Sequence, residues 1–526
     1  MGLLNEDGVE LSNIDLTSNK NKYKRMVVEI GEVDVDDDAD ADDSSFHKFD
    51  ANTTRKYVMA CAFFASVNSV LLGYDVGVMS GAIIFIQEEL QISEVQQEIL
   101  VGCLSIVSLV GSLAGGRSSD AIGRKWTMGI GAIIFQIGAL IMTIAHSFRI
   151  LMLGRLLSGI GIGFGATIMG VYIAEISPAN SRGFLTTFPE ICINVGILLG
   201  YVSNYAFSGL PANISWRVML ALGILPSVIV GFALFAIPES PRWLVVQDRV
   251  DEARSVLLRT IGDEKEVEER LSEIQQAAIN ANSSTSEEKA VWQELLRPNP
   301  VVFKMLVAGI GLQCFQQITG IDALVYYSPT ILKTTGIEDN TQLLAATVAV
   351  GVTKTAFILF ALVLIDRIGR KPLLYASTIG MTVCLFCLAV SLPFMGKGPL
   401  GISLALLLIC GDVAFFSVGM GPICWVLTSE IYPLRLRAQA VAIGVAGNRV
   451  CSGIVSLSFL SVSKAISVPG TFLVFSLLSA LSVGFVHMII PETKGKSLEE
   501  IECLFENGER LKDSQCKMAD TERLVS

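Results

Sequence analysis

Between Tyr57 and Ile490 the chain is a succession of apolar runs. Each is about 20 residues long, enough for a helix to cross the hydrocarbon core of a bilayer. Lipid offers no hydrogen-bond partners, so such runs are restricted to helices that satisfy their own backbone. The runs lie near 57–80, 98–116, 126–146, 150–174, 185–207 and 216–236, then near 302–326, 343–365, 372–395, 400–427, 438–463 and 470–490. Charged residues make up 17% of the chain, against roughly 25% in an ordinary soluble domain. This pattern predicts an all-α membrane protein of twelve transmembrane helices.

The runs are also duplicated. Asp120-Ala121-Ile122-Gly123-Arg124-Lys125 returns as Asp366-Arg367-Ile368-Gly369-Arg370-Lys371, each copy a charged hinge between two apolar runs. Other pairs follow in register. Gly73-Tyr74-Asp75 is echoed by Gly320-Ile321-Asp322, Glu175-Ile176-Ser177-Pro178 by Glu430-Ile431-Tyr432-Pro433, and Pro238-Glu239-Ser240 by Pro491-Glu492-Thr493. Two pseudo-symmetric six-helix halves are therefore expected, at 55–237 and 301–491. Internal repeats of apolar segments mark secondary transporters.

The segments outside the runs are polar. Residues 1–54, with a dense acidic stretch from Asp34 to Asp43, lack the apolar surface to fold alone and read as a disordered tail. Residues 238–300 carry helical patterning at Val250, Ala253, Val256 and Leu257 and predict a helical linker; 492–526 form a short polar tail. Lysine and arginine set the orientation. Arg117, Arg124, Lys125, Arg182, Arg367, Arg370, Lys371, Arg435 and Arg437 crowd one side, against Arg149, Arg217, Lys333, Lys397 and Lys464 on the other. The richer side is expected to be cytosolic, together with the linker and both termini. No basic stripe suggests nucleic acid, and neither the 11 cysteines nor the 3 histidines show metal-ligand spacing. No nucleophile–base constellation or phosphate loop points to an enzyme, and no cofactor is expected.

Several signatures carry a resemblance. They are Gly116-Arg117-Ser118-Ser119-Asp120 with Gly123-Arg124-Lys125, Pro238-Glu239-Ser240-Pro241-Arg242-Trp243-Leu244, Gln316-Gln317 with Gly320, and Pro491-Glu492-Thr493-Lys494-Gly495. Over roughly residues 55–500 the chain resembles the sugar-porter branch of the major facilitator superfamily. Gly73-Tyr74-Asp75-Val76-Gly77-Val78-Met79-Ser80-Gly81-Ala82, Phe188-Pro189-Glu190 and Gly351-Val352-Thr353-Lys354-Thr355 look more narrowly like plant polyol/monosaccharide proton symporters. The resemblance implies the major facilitator fold, uptake of linear polyols, inositol and monosaccharides across a membrane, and a proton as the co-transported ion; the plasma membrane is the expected location, with the vacuolar membrane the alternative. Cys424 departs from the pattern, standing where many sugar porters have proline.

An ionisable side chain deep in a span is expensive and calls for a partner or a function. Asp75 lies in the first run and Arg155 in the fourth; burial disfavours a charged carboxyl and a nearby cation favours it. The resemblance implies that these two form the proton-coupling pair. It places the substrate against Gln316, Gln317, Asn448 and Trp425, which suits hydroxyl-rich ligands: amides both donate and accept, and an aromatic face covers the carbon skeleton. Glu190, Asp322 and Lys354 stand where hexose carriers have neutral amides. Opposite charges in a span offset one another only within hydrogen-bond reach, so Lys354 is expected to pair with Asp322 or Glu190 beside the substrate. At the hinges, Asp120, Arg124, Asp366 and Arg370 lie near Glu175, Arg182, Glu430 and Arg437. The resemblance implies ion pairs that latch the two halves on the cytosolic side. A facilitative uniporter and a transporter-like sugar sensor are the competing readings.

Overall fold

The computed structural model describes residues 51–178, 182–282, 293–337, 339–394, 398–433, 436–496, 500–501 and 504–505. These belong to the compact unit that begins at Phe49; residues 1–50 of the expected tail and most of the C-terminal tail lie outside the described residues, while 51–54, expected as tail, open the first helix. Among those described, twelve helical segments are long and apolar enough to cross a membrane. The first half contains α1 (Ala51–Leu90), α2 (Glu94–Ile122), α3 (Arg124–Thr143), α4 (Phe148–Ile176), the short α5 (Arg182–Leu185), α6 (Phe188–Phe207), α7 (Ala212–Leu222) and α8 (Ile224–Ala236). Three helices follow, α9 (Pro241–Val246), α10 (Val250–Ile261) and α11 (Glu264–Asn282). The second half contains α12 (Pro300–Ile318), α13 (Ile321–Thr334), α14 (Asn340–Ile368), α15 (Arg370–Ser391), α16 (Pro399–Val418), α17 (Met420–Ile431), α18 (Arg437–Ile466) and α19 (Val468–Ile489).

The sixth span is split at Gly223, between α7 and α8, and three further features depart from the even march of runs. The first helix outlasts the run read at 57–80 because Ala82, Ile83, Phe85 and Ile86 continue it into the core; it ends at Leu90, with Glu89 in its last turn held by Arg217 at 2.7 Å and by the Trp216 indole at 2.5 Å. The seventh span is broken between α12 and α13 at Gly320, whose φ of 93° is left-handed; a β-carbon there would also sit 2.7 Å from the Phe475 ring. The tenth span is broken at Gly419, and the Ser377 hydroxyl accepts the Met420 N–H left bare at the start of α17. Apolar content registers the span but not these interruptions.

Close backbone contact, rather than apolar bulk, joins α1 to α6. Gly73 and Gly77 face Gly196 and Gly200, small-xxx-small patterns that let two helices approach in lipid. A β-carbon on Gly73 would lie 2.0 Å from the Ile193 carbonyl oxygen, and one on Gly196 would lie 2.5 Å from that of Val70. Gly73 and Gly320 occupy echoed positions for different reasons, one for helix contact and one for a helix break.

The halves share a core at the end away from the hinges. Val78, Met79, Ile86, Leu100, Ile197 and Trp216 of the first half pack in one cluster with Leu324, Tyr327, Phe459 and Phe472 of the second. At its hinge end the first half packs separately, around Met128, Phe135, Ile168 and Tyr172. Polar contacts follow the same division. Along the α2–α18 seam, Ser461 donates its backbone N–H and its hydroxyl to Glu98 at 2.7 and 2.5 Å, and Lys464 pairs with Glu94 at 3.0 Å. α9 to α11 enclose a small core of their own built on Trp243, Val256, Leu257, Val267 and Leu271. Ala253 is fully buried there and Val250 packs at its edge, as their spacing predicts.

Candidate functional site

Asp75 and Arg155 meet where α1 crosses α4. The guanidinium Nη1 donates to the Asp75 carboxylate at 2.5 Å, with the side chains 2% and 0% exposed. Arg155 Nε donates to the Leu100 carbonyl at 2.9 Å, while Nη2, also buried, has no hydrogen-bond partner among the described residues. Truncating one partner of a buried pair strands the other charge, a loss of about 3–5 kcal/mol. Tyr326 on α13 is buried with Arg155, Asp75, Asp322 and Arg449 as its charged neighbours. It thus neighbours both this pair and charged residues of the second half.

The break at Gly320 places the two expected glutamines on the last turn of α12. Asn448 on α18 donates to Gln316 Oε1 at 2.7 Å and to the Gln313 carbonyl at 3.0 Å, and accepts from Gln317 at 3.3 Å. Gln316 in turn donates to the carbonyls of Met420 and Gly421, at 3.2 and 3.0 Å, in the first turn of α17. Trp425 sits one turn further along α17, partly exposed. Three helices are thus cross-linked by amides around these two helix breaks, and three of the expected residues, Gln316, Gln317 and Asn448, are brought together.

The charged residues are arranged differently from expectation. Lys354 forms no ion pair with Asp322 or Glu190 among the described residues. Its ammonium lies 4.9 Å over the Phe416 ring, and Glu190, Asp322 and Asp412 are the carboxylates around it. Asp322 accepts instead from the Ser452 hydroxyl, and Glu190 accepts from Asn194 at 3.4 Å. The physical reason is the number of acids: one cation set among three carboxylates, with an aromatic face beneath it, has no single partner. Asp412 was missed. It is 2% exposed on α16, one turn before Phe416, and its Oδ1 has no partner among the described residues. An acid inside the run at 400–427 was a visible signal. Arg449, beside Asn448 and an electrostatic neighbour of Glu190, was missed as well. No group of three or more metal-ligating side chains is gathered among the described residues.

The hinge residues pair within each half. Arg124 reaches Glu175 at 3.1 Å and Asp120 at 3.0 Å, and Ser240 donates to Glu175 at 2.5 Å. Arg370 reaches Glu430 at 3.0 Å, and Thr493 donates to Glu430 at 2.6 Å. Arg437 donates to the Tyr432 carbonyl at 3.2 and 3.1 Å. The side chains of Arg182 and Asp366 lie outside the described residues. Each of the pairs named here lies within one half. Two acids were overlooked here. Glu239 accepts the backbone N–H groups of Arg124 and Lys125 at 2.9 and 3.1 Å, and Glu492 accepts those of Arg370 and Lys371 at 3.0 and 2.9 Å. Each caps a helix that starts directly after a left-handed glycine, Gly123 or Gly369, and so has no capping side chain of its own.

Comparison with known proteins agrees with this geometry. The family described as "Sugar (and other) transporter" matches residues 61–505. Probable polyol transporter 4 of Arabidopsis thaliana is 65% identical over 99% of this chain and 97% of its own length. Polyol transporter 5 of the same plant is 47% identical over 88% of each. Among solved structures, the major facilitator superfamily proton:xylose symporter XylE bound to 6-bromo-6-deoxy-D-glucose superposes with a TM-score of 0.71 at 28% identity, over 86% of this chain and all of that one. The inward open form of the xylose transporter XylE from E. coli also gives 0.71, at 27% identity over 85% of this chain and 99% of that one. Twelve spans in two similar halves, a buried acid–arginine pair and amides gathered around two broken helices are the features of a carrier, and the chain belongs to the sugar transporter family of the major facilitator superfamily.

Proposed function

We propose that this protein is a proton-coupled symporter of linear polyols, inositol and related monosaccharides, working by alternating access in the plasma membrane. The hinge side, with its excess of lysine and arginine, faces the cytosol together with both termini. The α2–α18 seam then closes the outer face, and the hinge clusters latch the inner face when the halves rock the other way.

The observation that carries this reading is the Asp75–Arg155 pair, sealed from solvent, with Tyr326 a neighbour both of the pair and of Asp322 and Arg449. Asp75 is the proton carrier. Arg155 is its counter-charge, and the unpartnered Nη2 lets the arginine turn to another acceptor when the acid takes a proton. Gln316, Gln317 and Asn448 present amides to substrate hydroxyls and Trp425 covers the carbon skeleton. Glu190, Asp322 and Lys354 add charged partners, which bind hydroxyls more strongly than amides do. A linear polyol bends to meet them and a pyranose ring does not. The experiment is uptake of labelled sorbitol, inositol and glucose in a transport-deficient host with the external pH recorded. Substrate addition should alkalinise the medium; uptake without any pH change would make the protein a uniporter, and binding without uptake would make it a sensor.

A further inference from the structure

We infer that Ser452 and Ser105 form a two-hydroxyl relay through which Asp322 holds the two halves together. Asp322 is partly exposed at the start of α13. Its carboxylate accepts the Ser452 hydroxyl, on the neighbouring α18. The Ser452 oxygen is in turn 2.9 Å from the Ser105 oxygen, on α2 of the opposite half. Ser452 and Ser105 are 0% and 5% exposed, so water does not compete for either.

Counting protons fixes the direction of the chain. A hydroxyl has one proton to donate, and an ionised carboxylate only accepts. Ser452 therefore gives its proton to Asp322, and Ser105 gives its own to Ser452. The bond between the halves is thus the far end of a chain polarised by the Asp322 charge, and such chains strengthen one another. It lies in the seam where Gly102 backs on Leu457 and Gly453 backs on Ile106, contacts too close for any larger residue at either glycine.

A hydroxyl-rich substrate that donates to the same carboxylate shares its charge with Ser452. The Ser452 proton is then held less strongly, and the link to Ser105 loses part of its polarisation. An occupied Asp322 therefore loosens the seam and an empty one fastens it. Ser105 and Ser452 are positioning residues: they touch the other half rather than the substrate. The proposal rests on the placement of Asp322 at the substrate site.

The test uses the full chain in proteoliposomes and compares initial uptake of labelled sorbitol with and without unlabelled sorbitol inside. Inositol or glucose replaces sorbitol if uptake assays favour it. In the parent, internal substrate should speed uptake about threefold, the value of one interhelical hydrogen bond in a membrane. Ser105→Ala, Ser452→Ala and the double variant should each bring the ratio toward one by the same extent, by raising net uptake with little change in KM. Ser105→Thr, which keeps the hydroxyl, should behave as the parent does. A double variant that keeps the parent's ratio, or whose loss is the sum of the two single losses, would overturn the relay. Asp322→Asn separates the two readings. If its KM is that of the parent, Asp322 is not at the substrate and both fall. If its KM rises while the serine variants keep the parent's ratio, only the relay falls.

Discussion

The Arg155 guanidinium holds the Asp75 carboxylate at 2.5 Å, with neither side chain more than 2% exposed, while a second guanidinium nitrogen is left without a partner among the described residues. A pair built only for stability would use that nitrogen as well, because a buried unsatisfied donor is unfavourable by about 1–3 kcal/mol. Asp75→Asn should leave the protein inserted and able to exchange substrate down its gradient, yet unable to accumulate it. Arg155→Ala should abolish accumulation and also lower thermal stability, since it strands the acid. Uptake against a gradient, set beside counterflow, checks both; an Asn variant that concentrates substrate as the parent does removes Asp75 from the coupling.

The charge set around Lys354 makes a prediction that the ion pair expected from sequence would not. Lys354→Asn alone leaves Glu190, Asp322 and Asp412 facing one another, and should nearly abolish transport. Neutralising Glu190, Asp322 and Lys354 together still leaves Asp412 buried without a cation. Recovery should therefore require the quadruple variant with Asp412→Asn, and its polyol-to-hexose preference should be lowered. The ratio of sorbitol to glucose uptake is the measurement. A quadruple variant that transports well with an unaltered preference would separate these residues from selectivity.

Arg124 and Arg370 each tie a helix start to a glutamate of their own half. Charge reversal at either should cut transport severalfold with surface expression largely kept. It removes the residues that must change partners when the hinge side closes, so cysteine labelling from the hinge side should rise. Normal transport with unchanged labelling would reduce these residues to loop anchors.

Glu492 supplies a pH dependence with a defined sign. Burial alone would raise its carboxyl, but the backbone N–H groups of Lys494, Arg370, Lys371 and Thr493 outweigh that and hold it below its ordinary value of 4.5. A group depressed in the folded state stabilises above its unfolded pKa, and the stabilisation is lost as pH falls through the folded one. Glu492→Gln should therefore melt below the parent at neutral pH. The gap should close in acid below 4.5. Melting temperatures of the purified protein across that range check it; a gap that persists in acid would mean the carboxylate charge is not what caps α15.

Much of this architecture was written in local chemistry. An apolar run of membrane length has no stable alternative to a helix, so the spans could be read one at a time. The duplication of Asp120–Lys125 at 366–371 then dictated two similar halves. The amide cluster of Gln316, Gln317 and Asn448 came from motif resemblance, and its members do bond to one another.

What sequence could not supply depends on which side chains end up facing one another. Lys354 had two candidate acids in sequence and three in space, and with three it pairs with none of them. Glu239 and Glu492 stood inside quoted motifs, but their capping roles exist only because the chain brings them back to helices that began more than a hundred residues earlier. Ser105 and Ser452 carried no signal at all, since serine is common in membrane helices and bonds its own backbone as readily as a neighbour. Spans and halves follow from the solvent each residue prefers, which is a property of the residue. Ion pairing, capping and the seam between the halves follow from distance across helices, which only the packed tertiary structure sets.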